Sequence, residues 1–248
     1  MHPLRPIFAA SFFFSIHIAL LSYLNSTVLT AHVSSMGTTV AYTISSALSL
    51  VLLITSGAIV RRFGSSRFLM MVLGLSAVLL ILLGTTTADI GFVTIFAIYF
   101  ALNTVIWYGF DLCVEHYTRE NNTGNIRGLY LTLNNASWVM APMAASLIVT
   151  TIGFSGTYIA GGCAVLMALL LIATTKRVGA STHAPRLSFT ESFRALIAHP
   201  YARRIVTLYF VIQFFFAWMV IYMTPHLASL GFSFSMIGII LSVMLLPF

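Results

Sequence analysis

The feature that most constrains this chain is a series of apolar runs, each long enough to cross a lipid bilayer. A transmembrane helix needs about 20 mostly apolar residues. The 248-residue sequence is 59% hydrophobic and only 7% charged, whereas a soluble domain carries about 25% charged residues. The sequence therefore predicts a polytopic, all-α membrane protein. Its predicted spans are 7–30, 38–60, 67–87, 91–113, 127–152, 154–175 and 204–224, with an eighth beginning near Met236.

The positive charges indicate which ends of the spans share an aqueous compartment. All 12 Lys and Arg residues lie before span one or around the connections between spans two and three, four and five, and six and seven. The opposite loops carry only Asp89 as a fixed charge. Because cytoplasmic loops are enriched in Lys and Arg, we expect a cytoplasmic N-terminus and a bacterial inner-membrane location. The net charge of +7 is then explained by the orientation of the chain in the membrane. We therefore expect the protein to lie in a lipid bilayer and not to bind nucleic acid.

One long connection divides the spans into two groups. Within it Ser188 and Glu191 have the spacing of a helix capping box, and the apolar residues that follow predict an amphipathic helix on the membrane surface, ended by Pro200. The eighth span has about 13 residues, too few to cross at ~1.5 Å each. We therefore expect a first half at 1–175, a cytoplasmic linker at 176–203, and an incomplete second half at 204–248.

The turn between spans two and three carries a motif. Gly57, Arg62, Gly64 and Arg67 have a spacing that resembles the loop between helices two and three of the major facilitator superfamily. That resemblance implies a first six-helix half followed by helix 7 and part of helix 8, and alternating-access secondary transport of a small molecule. Arg61 occupies the position where the family has an acidic residue.

Span five is similar to a motif of superfamily antiporters, with other small residues in place of most glycines. The resemblance implies an efflux antiporter in which Pro142 serves as a hinge. The alternative is ordinary close packing of small residues around a tolerated proline. The motif positions are Gly128, Ser137, Ala141, Pro142, Ala145 and Ser146.

Polar and aromatic side chains inside the spans are the candidates for a solute site. An unpaired amide in hydrocarbon costs several kcal/mol, so it must meet a neighbouring helix or a water-filled cavity. A mid-membrane histidine is uncommon and can exchange a proton near neutral pH. Without a fixed charge at the midplane, the expected substrate is a neutral or amphiphilic solute, sugar-like or drug-like, coupled to protons or another ion. The candidate lining is His17, Asn25, Asn103, Trp107, Asn134, Trp138 and Gln213.

The end of span four predicts a cytoplasmic gate. Asp111 and Glu115 continue a four-residue spacing, and Arg127 follows across a short loop. Such charges can close the cytoplasmic face in one state and release it in another; a permanent ion pair that anchors two helix ends is the alternative. The full gate and motif set is Gly57, Arg61, Arg62, Gly64, Arg67, Asp111, Glu115, Arg127 and Pro142.

The sequence contains no HExxH, P-loop, GxSxG or CxxC pattern, so metal, nucleotide and acyl-enzyme chemistry have no support. We therefore expect a monomer with no metal, no cofactor and no enzymatic activity. A second class of function remains open: a non-transporting membrane scaffold or an inactive partial product, motivated by Arg61 and the short second half.

Overall fold

The computed structural model describes residues 4–118, 123–174 and 189–245, and these residues form helices without a strand. Each predicted span corresponds to a helix, although α3 ends at Thr85, two residues before the predicted end, and residue 175 lies outside the described residues. Six of the helices are long and apolar enough to cross a membrane. The prediction of an all-α membrane bundle is therefore confirmed. The helices are α1 Leu4–His32, α2 Ser35–Phe63, α3 Ser65–Thr85, α4 Asp89–His116, α5 Thr123–Thr174, α6 Phe189–Ala198, α7 Pro200–Ser229 and α8 Phe234–Leu245.

The α2–α3 turn depends on a glycine. Gly64 has φ of 83° and ψ of 155°, a conformation that residues with a Cβ rarely adopt. Its N–H donates to the carbonyl of Val60 at 2.8 Å, which caps the end of α2, and α3 begins at the next residue. The predicted motif loop is thus a one-residue reversal between two antiparallel helices.

Helix α5 contains two spans. At ~1.5 Å per residue, a straight helix of its 52 residues would be about 78 Å long, far longer than the ~30 Å of hydrocarbon in a bilayer. Gly153 interrupts it with φ of 74° and ψ of −178°. This separates a first arm, 123–152, from a second arm, 154–174, at the predicted boundary.

The contacts of both arms with α1 show that the chain folds back at Gly153. Along the first arm, Asn134 meets Ser15 and the buried Ala145 packs in the cluster that contains Leu24. These two helices therefore run parallel. Along the second arm, Tyr158 meets Asn25 and Gly161 lies beside His17 and Leu21, so the second arm runs antiparallel to α1. Helix α1 is consequently packed between both arms of α5, with α4 and α7 as further neighbours.

This up-and-down arrangement gathers positive charge at one end of the bundle, which we call the basic end. The described residues there are Arg5, Arg61, Arg62, Arg67, Arg127, Arg194, Arg203 and Arg204. The turns near Asp89, Gly153 and Gly231 lie at the opposite end. The predicted charges at Arg119, Lys176, Arg177 and Arg186, and the predicted cap Ser188, lie outside the described residues.

The predicted amphipathic helix is present as α6. It ends at Ala198, and His199 then precedes α7. Pro200 is the first residue of α7, where a missing N–H costs nothing because the first helical amides have no intrahelical partner.

Candidate functional site

A cavity of about 240 Å³ lies between α1, α2, α4, the first arm of α5 and α7. Its wall contains six aromatic side chains and two amides, and none of the lining residues carries a formal charge. Four of the seven predicted lining residues meet here. The wall consists of Ile18, Ser22, Asn25, Tyr42, Tyr99, Phe100, Asn103, Thr104, Trp107, Trp138, Phe216, Ala217, Val220 and Ile221.

The two amide side chains in the cavity wall differ in whether the amide oxygen has a hydrogen-bond partner. The hydroxyl of Tyr158, on the second arm of α5, donates to Asn25 Oδ1 at 2.9 Å. Asn103 Oδ1 is shielded from solvent and has no hydrogen-bond partner. Of the two amides in the wall, Asn25 therefore has a paired oxygen, and the oxygen of Asn103 is unpaired and shielded.

His17 lies behind the cavity wall. It is fully buried, its Nδ1–H donates to the carbonyl of Phe14 at 2.9 Å, and the Tyr99 hydroxyl donates to its Nε2 at 2.9 Å. Tyr99 lines the cavity. A single hydrogen bond, to the Tyr99 hydroxyl, therefore connects His17 to a residue that lines the cavity.

Two other predicted residues lie away from this cavity. Asn134 is in the seam between α1 and the first arm of α5, where its carbonyl accepts from Ser15 Oγ at 3.1 Å and from Ser137 Oγ at 2.6 Å. Gln213 is exposed on α7, and its Nε2 donates to the Tyr209 hydroxyl at 2.6 Å.

The two predicted tryptophans build much of the aromatic wall. Trp138 lies edge-on to Phe216 of α7 at 5.3 Å and to Tyr23 of α1 at 6.4 Å, measured between ring centroids. Trp107 lies edge-on to Phe14 at 5.2 Å. Trp138 thus joins three helices at the point where α7 meets the bundle.

Helices α7 and α8 contact the rest of the bundle mainly toward the end opposite the basic loops. Phe154 of α5 packs edge-on to Phe234 of α8 at 5.6 Å, and the small residue Gly238 lies against Pro142 and Ser146. Along α7, Met219 and Thr224 are the buried residues, whereas no side chain in 200–215 is buried. Among the described residues, the contact of α7 and α8 with the rest of the bundle therefore lies away from the basic end.

The charged residues of the predicted gate gather at the basic end without a direct ion pair among them, whereas Pro142 lies at the α5–α8 contact. Arg127 lies within electrostatic range of Asp111, but no ion pair joins it to Asp111 or Glu115. These side chains are exposed, as are Arg61, Arg62 and Arg67. Gly57 lies within α2, and α5 remains helical through Pro142.

Sequence reasoning missed several features of the site. Tyr99 precedes Asn103 by four residues and so lies on the same face of α4, a spacing that the sequence does contain. At the opposite end, His32 Nδ1–H donates a hydrogen bond to Asp89 Oδ1 at 2.8 Å, and the His32 ring stacks on Phe92 at 4.1 Å. That pair joins α1 to the start of α4.

Among the described residues, no group of three His, Cys, Asp or Glu side chains is arranged to hold a metal ion. Cys113 is buried and Cys163 is exposed, and both are free.

Comparison with known proteins adds one finding. A family model described as Major Facilitator Superfamily matches residues 7–248, nearly the whole chain. No curated protein matches the sequence.

Proposed function

The chain belongs to the major facilitator superfamily, and from that premise we propose that it carries a small neutral or amphiphilic solute through the 240 Å³ cavity by alternating access. Membership makes it a multi-pass membrane protein of a transporter family. The proposal adds the class of solute and the route.

One observation supports the class of solute. The cavity wall has six aromatic rings, two amides and no charged side chain. An ion with a strong charge would lose its hydration there without gaining a counter-charge. Aromatic rings and amides instead suit a solute with an apolar body and a few hydrogen-bonding groups.

The contacts of α7 support alternating access. The cavity lies between α7 and four helical segments that precede the 176–203 connection. Because α7 contacts those segments beyond residue 215 and is exposed before it, a rocking motion of α7 and α8 would open one end as it closes the other. In that motion the cavity would face each side of the membrane in turn.

We include efflux antiport in the proposal because of where the antiporter-like residues lie. Pro142 and Ser146 are at the α5–α8 contact. In the proposed motion, α5 and α8 must separate at this contact when the cavity opens at the end opposite the basic loops. A proton is the candidate coupling ion, since His17 is a titratable side chain one hydrogen bond behind the wall.

The experiment is transport by the full chain in proteoliposomes with three probes: the uncharged amphiphile [14C]chloramphenicol, [14C]xylose and [14C]succinate. We expect chloramphenicol or xylose to move faster than in protein-free liposomes, and an outward-directed proton gradient to change that rate. Transport of succinate alone would contradict the neutral or amphiphilic class. Absence of transport for all three probes would favour the scaffold alternative.

A matched pair of tryptophan variants tests the route. Trp107→Ala removes a cavity wall, whereas Trp218→Ala removes an exposed ring of α7 outside the cavity. If an aromatic contact contributes ~1.5 kcal/mol, Trp107→Ala should slow transport by about tenfold, and Trp218→Ala should leave it unchanged. Equal effects of both variants would contradict the assigned route.

We further propose that the basic end faces the cytoplasm of a bacterial inner membrane, because Lys and Arg concentrate in cytoplasmic loops. Single cysteines in place of Arg62 and Leu230, in a chain lacking Cys113 and Cys163, test this in intact cells. A membrane-impermeant maleimide should label only the cysteine at position 230. Labelling of position 62 alone would reverse the orientation.

A further inference from the structure

We propose that Tyr158, which is not a lining residue, positions the Asn25 amide so that its NH2 group faces the cavity and favours solutes with a hydrogen-bond acceptor. The substrate class is an amphiphile with an apolar or aromatic body and a carbonyl or ether oxygen. This inference rests on the proposed transport function and names the substrate class of the same cavity.

The fold places the Tyr158 hydroxyl against α1. The reversal at Gly153 brings the second arm of α5 back beside α1, and Tyr158 lies near the start of that arm. Its ring packs edge-on to Phe92 of α4 at 5.8 Å between ring centroids, and its side chain is 1% exposed. Packing therefore fixes where the hydroxyl lies, and bulk water does not reach it as an alternative acceptor.

The hydrogen bond between Tyr158 and Asn25 has one favourable direction. The two oxygens are 2.9 Å apart, and among the described residues this is the hydrogen bond that the tyrosine hydroxyl makes. If the amide were turned, its NH2 group would meet the tyrosine oxygen, and the buried O–H would be left without an acceptor, which is unfavourable. The tyrosine therefore donates, and Asn25 presents its oxygen to it.

The nitrogen of the same amide is left for the cavity. Asn25 lines the cavity, whereas the side chain that holds its oxygen does not. Among the described residues, Asn25 Nδ2 has no hydrogen-bond partner, and it is not one of the unpartnered polar atoms that the surrounding protein shields. Asn25 thus offers an occupant an N–H donor and no acceptor.

This donor defines the ligand chemistry. The oxygen of the other amide, Asn103, is shielded, so neither amide oxygen is available to a solute. The remaining polar side chains of the wall are hydroxyls, which can rotate to suit a donor or an acceptor. A solute with a carbonyl oxygen therefore gains a hydrogen bond that its hydrocarbon analogue lacks, while the rings of Phe100 and Trp107 suit an apolar or aromatic body.

The test uses two ligands of nearly the same shape. Acetophenone carries a C=O acceptor and no donor, and α-methylstyrene has a C=CH2 group in its place. Their dissociation constants are measured by equilibrium dialysis of the 14C-labelled compounds against the purified full chain, with protein-free micelles as the blank. Because the two ligands differ in transfer from water, the result is the ratio of their affinities, compared between protein variants.

Two variants and one control separate a positioning role from a structural one. Asn25→Leu removes the donor and should lower the relative affinity for acetophenone by about fivefold. Tyr158→Phe keeps the ring but frees the amide to turn its oxygen toward the cavity, so it should lower the same ratio. Tyr130→Phe removes another buried tyrosine hydroxyl, from a residue that does not line the cavity, and should leave the ratio unchanged.

The carbonyl stretching band of bound [13C=O]acetophenone gives a second readout. A hydrogen bond from Asn25 should lower its frequency relative to acetophenone in hexane, and Tyr158→Phe should raise it again, whereas Tyr130→Phe should not. Loss of packing alone would weaken both ligands together and would not restore the frequency of the free carbonyl.

Thermal unfolding identifies the variants that are folded. An unchanged ratio in folded Asn25→Leu, or no saturable binding of either ligand to the unsubstituted chain, would overturn the substrate class. A ratio and a carbonyl frequency that survive in folded Tyr158→Phe would overturn its positioning role. Because binding is measured without transport, failure of the chloramphenicol and xylose assay would contradict the proposed function and leave this ratio as a separate result.

Discussion

Gly238→Ala probes how α8 closes against α5 at the end opposite the basic loops. A Cβ at position 238 would lie 2.7 Å from Ser146 Oγ, 2.8 Å from the Pro142 carbonyl oxygen and 2.9 Å from Ser146 Cβ. Favourable contacts between heavy atoms lie at about 3.5 Å. Since one of the three atoms is backbone, a side-chain rotation does not relieve the overlap, and α8 must move away by about 0.7 Å.

The magnitude follows from the packing. Inserting a methyl group into a well-packed contact costs about 1–3 kcal/mol. That cost applies only while α5 and α8 are in contact, so the equilibrium between closed and open forms should shift toward the open form by about 5- to 150-fold. Replacing Ser146 by Gly in the same chain removes two of the three overlapping atoms and should reverse part of this shift.

The assay is the rate at which a cysteine replacing Thr224 reacts with a maleimide in membranes. Thr224 is 1% exposed and, with Gly238, lines a cavity of about 10 Å³ in the closed contact. Gly238→Ala should raise the labelling rate. The control is Gly128→Ala, because a Cβ there meets nothing within 4 Å. Equal labelling rates in both variants would refute the α5–α8 contact.

Three smaller predictions concern thermal stability in detergent, measured by scanning fluorimetry. Gly64→Ala places a Cβ on a residue with φ of 83° and should lower the free energy of unfolding by about 1–2 kcal/mol. Tyr158→Phe leaves Asn25 Oδ1 buried without its 2.9 Å donor and should lower it by about 1–3 kcal/mol. His32→Ala breaks the 2.8 Å hydrogen bond to the Asp89 carboxylate, whose side chain is 65% exposed, so we expect a loss below about 1 kcal/mol.

Matched variants control these measurements. Gly57→Ala adds a Cβ in a helix, with Arg61 Nη1 as its near neighbour at 3.5 Å, so stability should not fall as it does for Gly64→Ala. Tyr201→Phe removes an exposed hydroxyl and should be neutral. Combining His32→Ala with Asp89→Asn should cost no more than either change alone. Fully additive losses would show that the pair contributes nothing.

The helices were predictable because hydropathy and turn glycines are local signals. The boundary between the two spans of α5 was predicted, and the structure places it at Gly153, where a positive φ interrupts the helix. The motif loop around Gly64 was recognised for the same reason. The predicted end of the seventh span, at residue 224, was less accurate. The helix continues through Pro225 to Ser229, because its C-terminal part packs on α1 and α8.

The site was only partly predictable. Helical periodicity shows which residues share one face of a helix, but it does not show which other helix packs against that face. Asn134 was correctly placed on one stripe with Ser137, but that stripe packs on Ser15 of α1. Gln213 lies on a part of α7 that no other described helix covers. The contact between His17 and Tyr99 joins residues 82 positions apart, and no local pattern encodes it.

The position of the cavity implies that ligand binding and closure are linked. An occupant would touch Trp138 of α5 and Phe216 of α7, which lie 5.3 Å apart between ring centroids, so it would stabilise the form in which α7 contacts the bundle. By linkage, a ligand that favours the closed form must be bound more weakly when closure is disfavoured. Gly238→Ala should therefore weaken binding of whichever probe the transport assay finds to be carried, and a saturating concentration of that probe should slow maleimide labelling at position 224. If that probe binds Gly238→Ala and the unsubstituted chain equally while labelling differs, the cavity and the α5–α8 contact are independent. Alternating access around this cavity then loses its structural basis.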